Sequence, residues 1–226
     1  MLLLLLAVCL AVFFWLSRSS LLAVEHIDVD GNSATPTDQI LEKAAPLLDG
    51  RSLLSFSFAG VDAALKQLPF IAGVEIDRDF PHTIHLHIYE RQPVAWLKTA
   101  DKYLLLSSDG YVLAAAPGPG QDLPLLTTKD PCNSEVGQRA GCADVSTGID
   151  FLGDVPENFN QEFSEVAVAA GDISAKTKTS VSVHFGSLAN YSLKFEVLKQ
   201  LIARAAAAGQ TVSVDVSVPE RPVTKR

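Results

Sequence analysis

The stretch from Leu68 to Trp96, LPFIAGVEIDRDFPHTIHLHIYERQPVAW, constrains this chain more than any other. Pro69 stops a helix-like run before it, because proline has no N–H to donate and clashes with the preceding turn. Ile71 to Asp77 then reads as a strand, Asp79-Phe80-Pro81 as a turn, and Thr83 to Glu90 as a second strand. In the second strand Ile84, Leu86 and Ile88 alternate with Thr83, His85, His87 and Tyr89, which gives one apolar and one polar face. Such a hairpin needs a cover for its apolar face. The step Glu90-Arg91-Gln92-Pro93 hands the chain to a second region, and the fixed φ of Pro93 limits freedom there.

The cover comes from the residues before the hairpin. Val24 to Val29 has strand alternation and ends at the turn Asp30-Gly31-Asn32. Thr35-Pro36-Thr37-Asp38 opens a helix: Thr35 can cap, Pro36 suits the first turn, and Asp38 complements the dipole. Ile40, Leu41, Ala44, Ala45 and Leu48 form its apolar face, and Gly50 ends it. After a brief apolar link, Ser52 to Phe58, a second helical spacing runs from Val61 to Leu68. The order β-α-α-β-β predicts a small α+β unit.

From Ala95 onward the pattern is β-rich. Lys102 to Ser107 and Tyr111 to Ala115 flank Ser108-Asp109-Gly110, a hairpin signal. Pro131 to Asn158 is polar and irregular, and a mobile loop is expected over about 130–160. Strand patterns return at Ser164 to Ala169 and Thr179 to Phe185. Asn190 to Ala208 is the longest helix candidate, with Asn190 as cap and with Leu193, Val197, Leu198, Leu201, Ile202 and Ala205 on one face. Thr211 to Val218 alternates strictly until Pro219-Glu220-Arg221-Pro222 breaks it.

At the other end, Leu2 to Leu16 is unbroken apolar sequence. It falls slightly short of the ~20 residues that cross a bilayer, so a membrane anchor and a cleaved signal peptide both fit. Bulky Phe13-Phe14-Trp15 and the missing basic start favour the anchor, expected over 1–22, although no Lys or Arg precedes it to set orientation. An extracytoplasmic location makes a Cys132–Cys142 bridge ordinary, and two free thiols are the other reading. Cys9 lies inside the apolar run as a small hydrophobe. The formal net charge of −8 over 226 residues argues against a nucleic-acid partner, which calls for a basic face.

Signals for catalysis are sparse. His82, His85 and His87 near Glu90 form the one cluster that hints at a metal, yet zinc needs three or four ligands in set geometry, and an exposed polar face accounts for them. No G-x-S-x-G, S-x-x-K, P-loop or G-x-G-x-x-G occurs. Asp77, Asp79 and Glu90 are flanked by Arg78 and Arg91, which points to solvated ion pairs. The reading is therefore of a non-enzyme with no cofactor, no metal and no small-molecule substrate.

Several motifs in order carry a resemblance. V-x-x-I-x-V-x-G-N at Val24 to Asn32, Gly50-Arg51-Ser52-Leu53-Leu54, Leu68-Pro69-Phe70-Ile71, Arg78-Asp79-Phe80-Pro81 and Glu90-Arg91-Gln92-Pro93-Val94-Ala95 together resemble the POTRA domain of the bacterial division protein family FtsQ/DivIB. Gly186, Lys194 and the Val214-Asp215-Val216 strand are similar to positions in that family's second domain. The resemblance implies an anchor at 1–22, a POTRA domain at 23–91 and a β domain at 92–226 with a long C-terminal helix and a closing edge strand. It implies a single-pass protein of the inner membrane, concentrated at the septum, that ties early to late division proteins and helps control septal wall synthesis.

The implied partners are FtsB-like and FtsL-like bitopic proteins, and beyond them FtsW and a septal penicillin-binding protein. Prolines after a β-branched run are also what a sheet edge looks like on physical grounds, because proline cannot donate to a ladder. An edge accepts a partner's strand through main-chain hydrogen bonds. Val216, Ser217, Val218, Pro219, Glu220, Arg221, Pro222 and Val223 are the expected partner-binding residues there, and a disordered tail is the other reading. In the first domain Arg78, Thr83, His85 and His87 are nominated. Rival functions are an exported wall-associated enzyme and a POTRA chaperone module of a secretion assembly.

Overall fold

The structure, a computed structural model, describes residues 20–54, 57–120, 123–132, 134–156, 159, 163–207 and 213–225, with Met1, Leu5 and Leu6. Most of the apolar run expected to anchor the chain lies outside the described residues. Among the described residues, no helix is long and apolar enough to cross a membrane. The chain divides into two compact units, Met1–Arg91 and Gln92–Arg226, in an α+β architecture.

The smaller unit has the order read from the sequence: β1 (His26–Asp30), α1 (Thr37–Leu48), α2 (Phe58–Leu65), β2 (Ile71–Asp79) and β3 (Thr83–Glu90). The sheet order is β1-β3-β2, with β1 parallel and β2 antiparallel to β3. Ile84, Leu86 and Ile88 of β3 are buried against Ile40, Ala44 and Leu48 of α1 and Val61 and Leu65 of α2. That burial supplies the main stabilisation, at about 25 cal/mol per Å² of apolar surface. The helix start differs from expectation: Pro36 holds the N-cap position of α1 and no side chain there caps it. At α2, Ser57 accepts a hydrogen bond from Gly60 N–H at 3.3 Å, so that helix starts earlier than its apolar spacing announces.

The larger unit contains β4 (Pro93–Lys98), β5 (Tyr103–Ser107), β6 (Val112–Ala116), β7 (Leu125–Thr128), α3 (Ala143–Gly153), β8 (Phe163–Ala169), β9 (Asp172–Thr177), β10 (Ser182–Gly186), α4 (Tyr191–Ala207), β11 (Ser213–Asp215) and β12 (Val223–Lys225). Among the described residues its nine strands form one sheet in the order β12-β11-β10-β9-β8-β7-β4-β5-β6. Phe151 of α3 and Phe195 of α4 meet Phe163 and Phe185 of the sheet, with ring centroids 4.8 Å apart for Phe151–Phe185 and 5.2 Å for Phe185–Phe195. α3 lies close to the sheet because Gly148 has no side chain: a Cβ there would sit 2.4 Å from Leu126 Cδ1.

Three expectations are corrected here. Part of the stretch read as irregular, 131–158, is the helix α3. Its buried residues Val145, Gly148 and Ile149 keep helical spacing, but the intervening Ser, Thr, Gly and Asp dilute the signal. Asn190 has a left-handed φ of 55°, and α4 packs the expected Val197, Leu198, Leu201 and Ile202 against the core but departs from expectation in its first turns. Leu193 is 48% exposed, whereas Phe195, Leu198 and even Lys194 are buried. The strand expected over 211–218 is confined to Ser213–Asp215 among the described residues.

Candidate partner-binding edges

At the open end of the nine-stranded sheet the last two strands form an antiparallel pair, Ser213 opposite Lys225, Val214 opposite Thr224 and Asp215 opposite Val223. β11 is therefore covered, and β12 is the edge. Of the eight residues nominated from sequence, Val223 alone belongs to that edge. Val216 is buried and its N–H donates to His184 C=O at 2.9 Å. Ser217 caps the turn, its N–H and Oγ both donating to Asp215 Oδ1 at 2.9 and 2.7 Å. Pro219 is buried, and Val218, Glu220, Arg221 and Pro222 are exposed in the connection. The prolines thus bracket a turn instead of ending a strand. A return of three residues is too short to show a periodicity of its own.

Two residues of α4 and β10 hold this end in place. Lys194 Nζ donates to Phe185 C=O at 2.8 Å and Ser187 C=O at 2.7 Å, carbonyls at the end of β10. Burial pushes its ammonium pKa down, against the pull of Asp172 and Asp215. Gly186 has a φ of +67°, and a Cβ on it would lie 3.0 Å from Ser217 Cβ. A larger residue at 186 would be strained and would push the β11–β12 turn away.

In the smaller unit the outer face of β3 is a ladder of imidazoles and carboxylates. The register places His85 between Asp28 and Asp77, and His87 between Asp30 and Glu75. His85 Nδ1 is 3.5 Å from Asp28 Oδ2 and its Nε2 is 3.7 Å from Asp79 Oδ2; His87 Nδ1 contacts Asp30 Oδ1. Tyr89 Oη donates to Glu75 at 2.8 Å, a bond that raises the phenol's pKa. Thr83, His85 and His87 therefore share one face. Arg78 does not join them: it pairs in register with buried Ile84, and its guanidinium stacks 4.3 Å from the Phe58 ring centre. His82 is separate, its Nδ1 3.0 Å from Ala23 C=O. Among the described residues no group of His, Cys, Asp or Glu has metal-binding geometry.

Glu90 and Arg91 are both held by backbone groups. Glu90 Oε2 accepts from Ser33 N–H at 3.0 Å and Ala34 N–H at 2.9 Å, and Oε1 accepts from Thr35 N–H at 2.7 Å. Burial works to raise this carboxyl's pKa, but the N–H groups of Ala34, Thr35 and Ser33 prevail and hold it at about 2. The carboxylate ties down the Ser33–Thr35 segment that leads into α1. Arg91, 9% exposed, donates to Pro69 C=O at 3.0 Å and to Ile71 C=O. No local pattern announces contacts that span so much sequence.

One arrangement of catalytic type appears that sequence spacing did not reveal: Ser174 Oγ lies 3.1 Å from His184 Nδ1, and His184 Nε2 lies 3.7 Å from Asp172 Oδ1. The three are solvent-accessible neighbours on β9 and β10, strands interior to the sheet. Their backbone N–H groups serve the ladders, so they form no cradle for an oxyanion.

Residues 22–91 match the family description "POTRA domain, FtsQ-type", and residues 94–217 match "Cell division protein FtsQ/DivIB, C-terminal". The chain belongs to the FtsQ/DivIB family. Cell division protein FtsQ of Streptomyces griseus is 27% identical over 206 residues, covering 90% of this chain and 97% of the relative. FtsQ of Streptomyces collinus is 29% identical, covering 91% and 79%, and DivIB of Bacillus selenitireducens is 30% identical, covering 57% and 50%. A solved extracytoplasmic domain of DivIB from Geobacillus stearothermophilus is 13% identical, with a TM-score of 0.32 over 43% of this chain and 80% of that one. FtsQ/DivIB membership makes this a scaffold protein of bacterial cell division, acting at the septum through contacts with other division proteins. β12 lies beyond the residues matched by the FtsQ/DivIB C-terminal description.

Proposed function

We propose that this chain is a non-catalytic, single-pass protein of the inner membrane. Residues 1–22 anchor it, 23–91 form the POTRA domain and 92–226 the β domain. Its β domain captures a strand of an FtsB-like bitopic partner by main-chain pairing along β12. Through that partner and an FtsL-like one it links to FtsW and the septal penicillin-binding protein, joining early to late division proteins and helping to control septal peptidoglycan synthesis. The observation that carries the reading is the position of β12 at the end of the sheet order. Among the described residues no strand pairs with the outer side of β12, so one ladder of backbone groups stays available there, and it begins at exposed Val223. The polar face of Thr83, His85 and His87 is proposed as a second, weaker contact.

Thr224→Pro tests the edge, because it removes a backbone donor from the middle of β12. Pull-down of the FtsB-like partner is expected to fall to background while far-UV circular dichroism is unchanged. Undiminished capture sinks the proposal. Depletion of the protein is expected to give filamentous or branched cells, and normal septation would favour an exported wall enzyme instead.

A further inference from the structure

We propose that the loop closed by Cys132 and Cys142 is a built-in substitute strand that covers the start of the β6 edge, at Val112, and so hinders its pairing with a second copy of this chain. The sheet has two ends, β12 and β6. The β6 sequence, Val112-Leu113-Ala114-Ala115-Ala116, carries neither charge nor proline. A strand of that composition with open backbone groups is a template for another strand. β12, the edge proposed to take a partner's strand, is only three residues long and follows Pro222.

Backbone geometry identifies the cover. Val112 N–H donates to Gln138 C=O at 2.9 Å, Gly137 N–H to Val112 C=O at 2.8 Å, and Ala140 N–H to Gly110 C=O at 2.8 Å. Tyr111 and Arg139 pair as an antiparallel bridge. The arrangement reproduces the start of a further strand beside β6. Arg139 also lies over the hairpin turn, where a Cβ on Gly110 would meet its Nε at 3.5 Å.

The loop is held by apolar burial at its ends, where Cys132 and Ala140 join the core, and little around Val136. Its other side borders a cavity of about 490 Å³ shared with Thr99, Asp101 and Lys102, and Ser134, Glu135 and Gln138 line it from the loop. Val136 is 44% exposed. The covalent link is what keeps the loop in register. Cys132 and Cys142 are joined with Cα atoms 5.9 Å apart, and Cys142 is the N-cap of α3. The buried Val145, Ile149 and Phe151 of α3 fix that helix on the sheet. Closing the loop removes most of the disorder it would otherwise sample.

The test uses the full chain of 226 residues in mild detergent, with hydrogen exchange over 108–116 and sedimentation across a concentration series. Cys132→Ser/Cys142→Ser opens the link. Ala140→Pro keeps the link but removes the Ala140 donor. In both, exchange at Val112 is expected to rise by about tenfold or more, with a dimer growing in at higher concentration. Adding Ala115→Lys, at an exposed β6 position, is expected to restore the monomer while exchange stays fast. A protected Val112 and a monomeric Cys132→Ser/Cys142→Ser chain overturn the proposal. So does fast exchange without association, or association that Ala115→Lys leaves intact.

Discussion

The two units close their sheets with different chemistry. The smaller one adds to its apolar core a set of polar groups at the end of β3: Glu90 gathers the N–H groups of Ser33, Ala34 and Thr35, and Arg91 gathers the carbonyls of Pro69 and Ile71. The larger one relies on packed rings of Phe151, Phe163, Phe185 and Phe195 and on a disulfide across a loop. Charge-assisted bonds respond to pH, whereas aromatic packing and a covalent bridge do not over the acid range. The difference teaches that loss of the Glu90 carboxylate in acid should loosen the first unit, while the ring packing and the bridge of the second stay in place.

The largest effect that would separate them comes from the rings. Phe151→Ala is expected to cost about 3–5 kcal/mol, read as lost exchange protection in β8–β10 with the smaller unit unaffected. Loss in both units would break the comparison. Arg91→Ala strands two carbonyls and is expected to cost about 1–3 kcal/mol, confined to residues 69–90 in the same measurement.

Glu90 gives the comparison its pH axis. Its pKa is held at about 2 against an ordinary 4.5, so the folded state favours the carboxylate. The stabilisation is complete above pH 4.5 and is lost as pH falls toward 2. Solvent screening limits it to about 1–2 kcal/mol. Urea midpoints for Glu90→Gln are expected to converge with those of the parent chain as pH falls through that window, and a constant gap would contradict the assignment. The smallest effect is at the exposed Lys66–Asp62 pair, 2.7 Å apart, where Asp62→Ala is expected to cost about 0.3–0.5 kcal/mol.

Legibility followed the same division. The smaller unit was readable because β3 alternates cleanly and its helices carry whole turns of apolar residues, so element order and the buried face of β3 follow from periodicity. The Glu90 contacts were not, since they join positions more than fifty residues apart and no local pattern encodes them. In the larger unit the Asp-Gly hairpin was clear, with Gly110 at φ 83°. α3 was hidden by its small polar residues, and the burial of Lys194 in α4 was hidden because it depends on two carbonyls outside that helix. Of the residues nominated for the sheet edge only Val223 lies on its last strand, because three residues of β12 carry too little pattern to separate a strand from a tail.

One measurement bears on the central claim most directly: hydrogen exchange over 219–225, with and without the extracytoplasmic segment of the FtsB-like partner. Strand addition predicts new protection at Val223 to Lys225 and no change in β6. Unaltered exchange at β12, with protection appearing elsewhere in the larger unit, would contradict it.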